Sequence, residues 1–213
     1  MKKFSLPAVL FALITAGISP VMASEADLVV PSIKSISPEN FLLLLAGIGV
    51  AVAGLIFGLV MFMGIKKLDV HHAMAETGNT IFETCKTYLI QQGKFLLLLE
   101  VIIGLCIAFY FGYLQKMGLG EVLTILAWSV IGILGSYAVA WFGIRMNTLA
   151  NARTAFASLK GLPLNVLNIP LKAGMSIGVL LVSVELIMML VILLFVPGSI
   201  AGACFIGFAI GES

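Results

Sequence analysis

Glu185 is the residue of this chain best placed to bind or transfer an ion inside a membrane. It is the thirteenth residue of the apolar run 173–196. If that run is a spanning helix, a rise of about 1.5 Å per residue puts Glu185 near the bilayer midplane. An ionisable group at that depth is a functional candidate by default, here for ion transfer. The alternative is a protonated or hydrogen-bonded carboxyl that packs against another helix.

The other acidic residues and the histidines form no recognisable catalytic or metal site. Asp69, Glu76 and Glu83 are spaced by seven, on one side of a possible helix, and a solvated acidic face is favoured over a weak Mg²⁺ contact. His71 and His72 are adjacent, so on a helix they point about 100° apart and do not readily chelate one metal ion. No HExxH, CxxC or P-loop sequence occurs. We therefore predict no catalytic residue and no metal ligand in this chain.

The stretch Arg145–Phe156, which reads RMNTLANARTAF, follows an apolar run directly. Read as a helix, it carries one polar stripe and one apolar stripe at similar spacing. A membrane helix that continues into water in this way usually docks on other protein, and the alternative is a solvated helix end. We predict docking or structural roles, rather than catalysis, for four of its polar residues: Arg145, Asn151, Arg153 and Thr154.

The composition is that of a polytopic membrane protein. Hydrophobic residues make up 61% of the chain and charged residues 10%, with a mean hydropathy of +1.17, whereas soluble domains carry about a quarter charged residues. No basic patch with interleaved aromatic residues suggests nucleic-acid binding. The lipid bilayer is therefore a predicted partner, and nucleic acid is not.

The apolar runs predict an all-α fold, a bundle of four complete transmembrane helices and the start of a fifth. A helix needs about 20 residues to cross the hydrocarbon core, and unpaired backbone groups are not tolerated there. The predicted helices are 41–65, 95–114, 122–144 and 173–196, with 200–213 as the fifth. The apolar part of the fifth would reach only about 16 Å, so we expect the chain to end inside a helix.

Three pairs of glycines spaced by four predict close contacts between these helices. Such small residues let helix backbones approach in a membrane, although the spacing does not identify the partner helix. The three pairs are Gly54 and Gly58, Gly174 and Gly178, and Gly207 and Gly211.

The N-terminus and the basic residues predict the orientation. Residues 1–23 have the layout of a signal peptide, or alternatively of an uncleaved first helix, and 24–40 is then a lead outside the cytoplasm. Of the twelve lysines and arginines, ten remain beyond residue 23, and eight of these lie in the predicted loops 66–94 and 145–172. An excess of lysine and arginine marks cytoplasmic loops. We therefore predict a multi-pass protein of the cell (inner) membrane with its mature N-terminus outside.

Three segments, in order, resemble the membrane-bound, ion-pumping pyrophosphatases. The most distinctive is ANARTA at 150–155; TYLIQQGK at 87–94 and NIPLKAGMSIGVLLV at 168–182 are looser matches. The resemblance extends from about residue 41 to 213. This chain departs from the family pattern at Gly93, where tyrosine is usual, and at 83–87, where ETCKT replaces EGAMA.

The resemblance implies the N-terminal portion of a pyrophosphate-driven proton (or sodium) pump. In that family, Mg²⁺ ions hold the pyrophosphate substrate, K⁺ is a further cofactor candidate, and two copies form a homodimer. This chain would supply outer helices that pack on the remaining helices of the pump, without the catalytic motifs. By itself it is then expected to be inactive. The alternative is a self-contained membrane scaffold or accessory subunit without enzymatic activity.

Overall fold

The residues that the structure describes form helices and no strands. The computed structural model describes residues 37–161 and 163–213. Its helices are α1 Pro38–Lys66, α2 His72–Ile107, α3 Leu119–Ser158, α4 Pro163–Phe195 and α5 Gly198–Glu212, and α2 continues into a π-helical segment, Ala108–Leu114. Helices α1 to α4 are long and apolar enough to cross a membrane. The predicted all-α membrane bundle is therefore confirmed, whereas the predicted signal peptide (1–23) and most of the lead (24–40) lie outside the described residues.

The helices run well beyond the apolar stretches that predicted them. Helix α2 begins at His72 rather than at 95, α3 ends at Ser158 rather than at 144, and α4 begins at Pro163 rather than at 173. The segments 66–94 and 145–172, expected as loops apart from the helical interpretation of 145–156, are therefore mostly helical. Counting apolar residues detects only the part of a helix that lies in lipid. It does not detect the polar turns by which the same helix extends into water.

Helices α2 and α3 form an antiparallel hairpin around a short turn. The Gln115 N–H donates to the Tyr110 carbonyl at 3.0 Å, which closes the π-helical segment. Lys116 then adopts a φ of 54°, a left-handed conformation that is uncommon for a residue other than glycine. The Gly118 N–H donates to the Glu121 carboxylate at 2.9 Å and so fixes the first turn of α3.

Helix α3 lies at the centre of the bundle. It packs along α2, α4 and α5, whereas α1 packs chiefly on α4. One buried apolar cluster, which includes Ile125 and Phe208, joins α3 and α5 to the end of α2. A second cluster, which includes Ile65 and Met146, joins the end of α1 to α3 and to the start of α4. The second cluster lies where eight of the ten lysines and arginines beyond residue 23 are found, and we call this end of the bundle the basic end.

Glycines on α1 bring α1 and α4 into close contact. A Cβ atom at Gly54 would overlap the Ser183 hydroxyl, and one at Gly58 would lie 3.3 Å from the Ser176 carbonyl oxygen. The Ser176 hydroxyl is fully buried and donates to the Gly58 carbonyl at 2.8 Å. Close backbone approach with an added interhelical hydrogen bond is a common way for helices to associate in lipid.

The crossing of α3 and α5 is tighter still. A Cβ atom at Gly132 would lie 2.5 Å from the Phe208 carbonyl oxygen, and one at Gly211 would overlap the Ser129 carbonyl. Because the obstructing atoms belong to the backbone, a larger residue could enter only if the helices separated. The glycine pairs of α1 and α5 thus make the close contacts that their spacing predicted.

The third glycine pair differs from the other two. A Cβ atom at Gly174 or Gly178 would meet nothing within 4 Å. Both residues lie on an exposed side of α4, away from the face that packs on α1. Within the described residues, their spacing therefore corresponds to no helix contact.

Candidate functional site

Arg153 ties the end of α1 to α3. Among the described residues it is the only buried charged side chain, 8% exposed. Its guanidinium donates to the carbonyls of Lys66 at 2.9 Å and Leu68 at 3.1 Å, and to the Leu149 carbonyl of its own helix at 3.1 Å. The last carbonyls of a helix have no partner within it, so Arg153 caps the C-terminal end of α1. A docking role requires contacts of this kind, and that role stays a prediction.

Arg145 connects α3 to α2. Its guanidinium lies over the Phe82 ring, 4.4 Å from the ring centroid. Phe82 in turn meets Trp141 edge to face, with the ring centroids 6.2 Å apart. A cation over an aromatic face is attracted by the quadrupole of the ring, so Arg145 holds the polar half of α2 against α3. Arg145 and Arg153 also border one small cavity of about 240 Å³.

Asn151 and Thr154, the other two candidates in this stretch, make fewer contacts. Asn151 is exposed and borders a shallow cleft between α2 and α3. Thr154 is half-buried, and its hydroxyl donates to the Ala150 carbonyl of its own helix at 2.8 Å. The structure therefore brings Arg145 and Arg153 together at the basic end and leaves Asn151 at the surface. The docking roles of all four residues stay predictions.

A larger cavity of about 460 Å³ opens at the basic end between α1, α3 and the start of α4. Its apolar part includes Val60 and Ile169. Its polar part includes two asparagines, three cationic residues and one carboxylate: Asn165, Asn168, Arg153, Lys160, Lys172 and Asp69. We call it the basic cavity. Sequence reasoning missed it because it had assigned most of these residues to a loop.

Glu185 lies on α4 and is half-buried. It borders a cavity of about 580 Å³ between α4 and α5, together with Glu212 and the apolar Met189 and Phe205. Neither carboxylate forms an ion pair within the part of the chain that the structure describes. The structure thus gives Glu185 space on its side of α4, and its role in ion transfer stays a prediction.

The described residues offer no metal centre. Within residues 37–161 and 163–213, no group of three or more histidine, cysteine and carboxylate side chains could hold a metal ion. His71 instead caps the N-terminal end of α2, where its Nδ1 accepts a hydrogen bond from the Ala73 N–H at 3.3 Å. Glu76 and Glu83 lie exposed along α2, and the Lys86 ammonium contacts the Glu83 carboxylate at 3.1 Å.

Sequence reasoning also missed the serines that complete the helix crossings. Ser176 bonds to α1, and the Ser136 hydroxyl donates to the Glu212 carbonyl at 2.8 Å. A serine within an apolar run carries a weak signal, because its hydroxyl can equally bond to its own helix, as Ser183 does to the Val179 carbonyl at 2.7 Å. The partner helix decides between the two, and the sequence does not specify it.

Comparison with known proteins gives a consistent result. The sequence model of a family described as inorganic H⁺ pyrophosphatase matches residues 52–213. A relative from Chlorobaculum tepidum, named a K⁺-insensitive pyrophosphate-energised proton pump, is 58% identical over 167 residues. The match covers 78% of this chain and 22% of the relative, so the chain spans about a fifth of that protein's length. No solved structure matches the chain.

Proposed function

This chain belongs to the inorganic H⁺ pyrophosphatase family, and from that premise we propose that it is the N-terminal part of a pyrophosphate-energised proton pump. The observation that carries the proposal is its close sequence identity, over most of its length, to a pump of that kind. In this proposal α1 to α4 are outer helices, and Arg145–Phe156 belongs to a rim on which other parts of the pump dock. Hydrolysis is assigned to sequence beyond this chain.

The proposed substrate is pyrophosphate, with magnesium as the ion that accompanies it. Pyrophosphate carries several negative charges, and metal ions neutralise such charge during phosphoryl transfer. No magnesium ligand is assigned here, because the described residues contain no group of three or more histidine, cysteine and carboxylate side chains that could hold the ion. The name of the relative argues against the K⁺ requirement raised by the family resemblance. We therefore expect activity that does not depend on K⁺.

A chimera tests the proposal. The corresponding segment of the Chlorobaculum tepidum pump is replaced by this chain, and pyrophosphate hydrolysis and acidification are measured in inverted membrane vesicles. We expect both activities in the chimera, equal with and without K⁺. We expect no phosphate release from this chain alone above an empty-membrane control.

Two results would contradict the proposal. Mg²⁺-dependent phosphate release by the purified chain would mean a catalytic site among residues that we assign to scaffold. A chimera that accumulates and assembles but neither hydrolyses nor acidifies would favour the alternative, a membrane scaffold or accessory subunit. Size analysis of the active chimera also tests the homodimer that the family resemblance implies.

The proposed orientation puts the basic end in the cytoplasm of the cell (inner) membrane, because most lysines and arginines lie there. Cys85 lies in the polar half of α2 and is partly accessible. In a variant with Cys106 and Cys204 replaced by serine, a membrane-impermeant thiol reagent should label Cys85 only after the cells are permeabilised. A matched Cys85→Ser variant controls for background. Labelling of intact cells would reverse the proposed topology.

Glu185 is the proposed candidate for ion transfer within this chain. Its half-buried carboxyl and the adjoining cavity support the proposal, since ionisable residues within membrane helices commonly mark ion paths. In the chimera, Glu185→Gln should lower acidification more strongly than hydrolysis. An unchanged ratio of acidification to hydrolysis would contradict this role and favour the alternative, a carboxyl that packs against another helix.

A further inference from the structure

The basic cavity between α1, α3 and α4 combines an apolar wall with a cationic rim. Val60, Met61 and Ile169 lie on the apolar wall, and Lys160 and Lys172 lie on the rim. A small soluble anion gains nothing from the apolar wall, and an apolar ligand gains nothing from the lysines. A ligand that carries both an anionic group and hydrocarbon satisfies both parts.

The cavity lies at the depth where the apolar part of the helices ends. Lys172 directly precedes the apolar run of α4, and Val60 and Met61 lie within the last two turns of α1. Around the start of α4, three leucines are more than half exposed: Leu164, Leu167 and Leu171. These side chains suit a hydrocarbon surrounding. A cationic rim at this point of the helices would lie near the height of lipid head groups, with acyl chains within reach.

The charge on the rim is not neutralised within the described residues. Lys160 and Lys172 form no ion pair there, although the Lys160 ammonium lies 5.3 Å from the Phe156 ring centroid. Arg153 borders the cavity and bonds only to carbonyl oxygens. Against these three cations, Asp69 is the one carboxylate at the cavity. The formal charge of the lining is thus +2, three positive charges less one negative charge.

We propose that the basic cavity binds the phosphodiester head group of an anionic phospholipid. Lys160 and Lys172 supply the charge, and the side-chain amides of Asn165 and Asn168 are placed to donate hydrogen bonds to phosphate oxygens. Basic pockets between transmembrane helices are suited to anionic lipids in this way. The apolar wall selects a membrane lipid over free phosphate or pyrophosphate. The bound lipid would contact α1, α3 and α4, the three helices that line the cavity.

Native mass spectrometry of the full chain in a neutral detergent tests the proposal. The chain is titrated with phosphatidylglycerol or with phosphatidylcholine of the same acyl chains. We expect phosphatidylglycerol to bind more tightly by a factor on the order of tenfold, a difference that two lysines near an anionic lipid can supply. The double variant Lys160→Ala/Lys172→Ala should lose this preference.

Two further variants make the result specific. Lys86→Ala/Lys94→Ala removes the same charge from α2, away from the cavity, and should keep the preference. Asp69→Asn removes the carboxylate and should strengthen phosphatidylglycerol binding several-fold, an effect that misfolding could not produce. Equal binding of the two lipids, or an equal loss in both double variants, would overturn the proposal. Displacement of phosphatidylglycerol by millimolar pyrophosphate or inorganic phosphate would instead assign the cavity to a free anion.

Discussion

The α3–α5 crossing and the basic end are held together in different ways. At the crossing the two backbones touch, and Gly132 and Gly211 leave no room for a side chain between them. At the basic end a cavity of about 460 Å³ lies between α1, α3 and the start of α4, beside the buried cluster that includes Ile65 and Met146. There a long charged side chain, Arg153, reaches across to carbonyls at the end of α1.

This difference follows from the surroundings of each region. In lipid the hydrophobic effect does not drive helices together, so close packing has to do so. Near the membrane boundary, the carbonyls at a helix end need partners, and a guanidinium offers several donors in a fixed geometry. Close backbone contact therefore joins the helices within the membrane. At its edge the hydrogen bonds of Arg153, which we call the polar clamp, add to the apolar packing.

Breaking the tight crossing should have the largest effect. Gly211→Leu forces a side chain against the backbone of α3 and should cost about 3 kcal/mol of unfolding free energy or more, at the upper end of measured overpacking effects. The measurement is unfolding of the purified chain by sodium dodecyl sulfate in mixed micelles. Gly178→Leu is the matched control, with a change within about 0.5 kcal/mol. If both variants were equally destabilised, the contrast between packed and exposed glycines would be wrong.

Breaking the clamp at the basic end should have an intermediate effect. Arg153→Ala removes the donor to the Lys66 carbonyl of α1 and to the Leu68 carbonyl just beyond it, and a hydrogen bond to a charged group contributes about 1.5–3 kcal/mol. Arg153→Lys should recover only part of the loss, because an ammonium cannot reproduce the guanidinium geometry. The same unfolding assay applies, and faster trypsin cleavage after Lys66 or Lys67 should report the loosened end of α1. Lys160→Ala, at the exposed rim, is the control.

The Arg153 variant also separates docking from catalysis in the chimeric pump. We expect Arg153→Ala to lower assembly or thermal stability there before it changes hydrolysis per folded molecule. Normal assembly combined with abolished hydrolysis would place Arg153 in the active site and contradict the docking role.

The smallest effect should come from a hydroxyl within the α1–α4 crossing. Ser176→Ala removes the bond to the Gly58 carbonyl but keeps the close backbone approach. Hydrogen bonds between membrane helices contribute about 0.6 kcal/mol on average, so we expect a loss of that size in the unfolding assay. Ser158→Ala, whose exposed hydroxyl bonds within its own helix, should have no measurable effect. A loss comparable to that of Gly211→Leu would mean that hydrogen bonding, not fit, holds the crossings.

The sequence predicted the membrane-spanning helices because hydrocarbon imposes a length and a composition that can be counted. It also predicted that Arg145–Phe156 continues its helix past the apolar run, since periodicity persists there. It did not predict that α2 begins at His72. Polar residues on a helix in water look much like residues in a loop, and only contacts such as that of Arg145 with Phe82 reveal the difference.

The candidate site was predictable only in part. The place of Arg153 in a polar stretch directly after an apolar run marked it for a docking role, but its partners, Lys66 and Leu68, lie more than eighty residues earlier in the chain. The glycine pairs show the same limit. One spacing occurs at Gly207 and Gly211, which are packed, and at Gly174 and Gly178, which are exposed. The spacing of the glycines shows that a helix could be approached closely there. Whether it is depends on which helix packs beside it in the fold.

The α1–α4 crossing also has a consequence for how the protein is made. Ser176 follows Gly58 by 118 residues, and ribosomes add roughly 5–20 residues per second. Helix α1 therefore waits roughly 6–24 seconds in the bilayer before its main partner is synthesised. During that interval its glycine face lacks the helix that it contacts in the complete bundle. The nearly uniform apolarity of α1 allows it to persist as a single inserted helix until α4 follows.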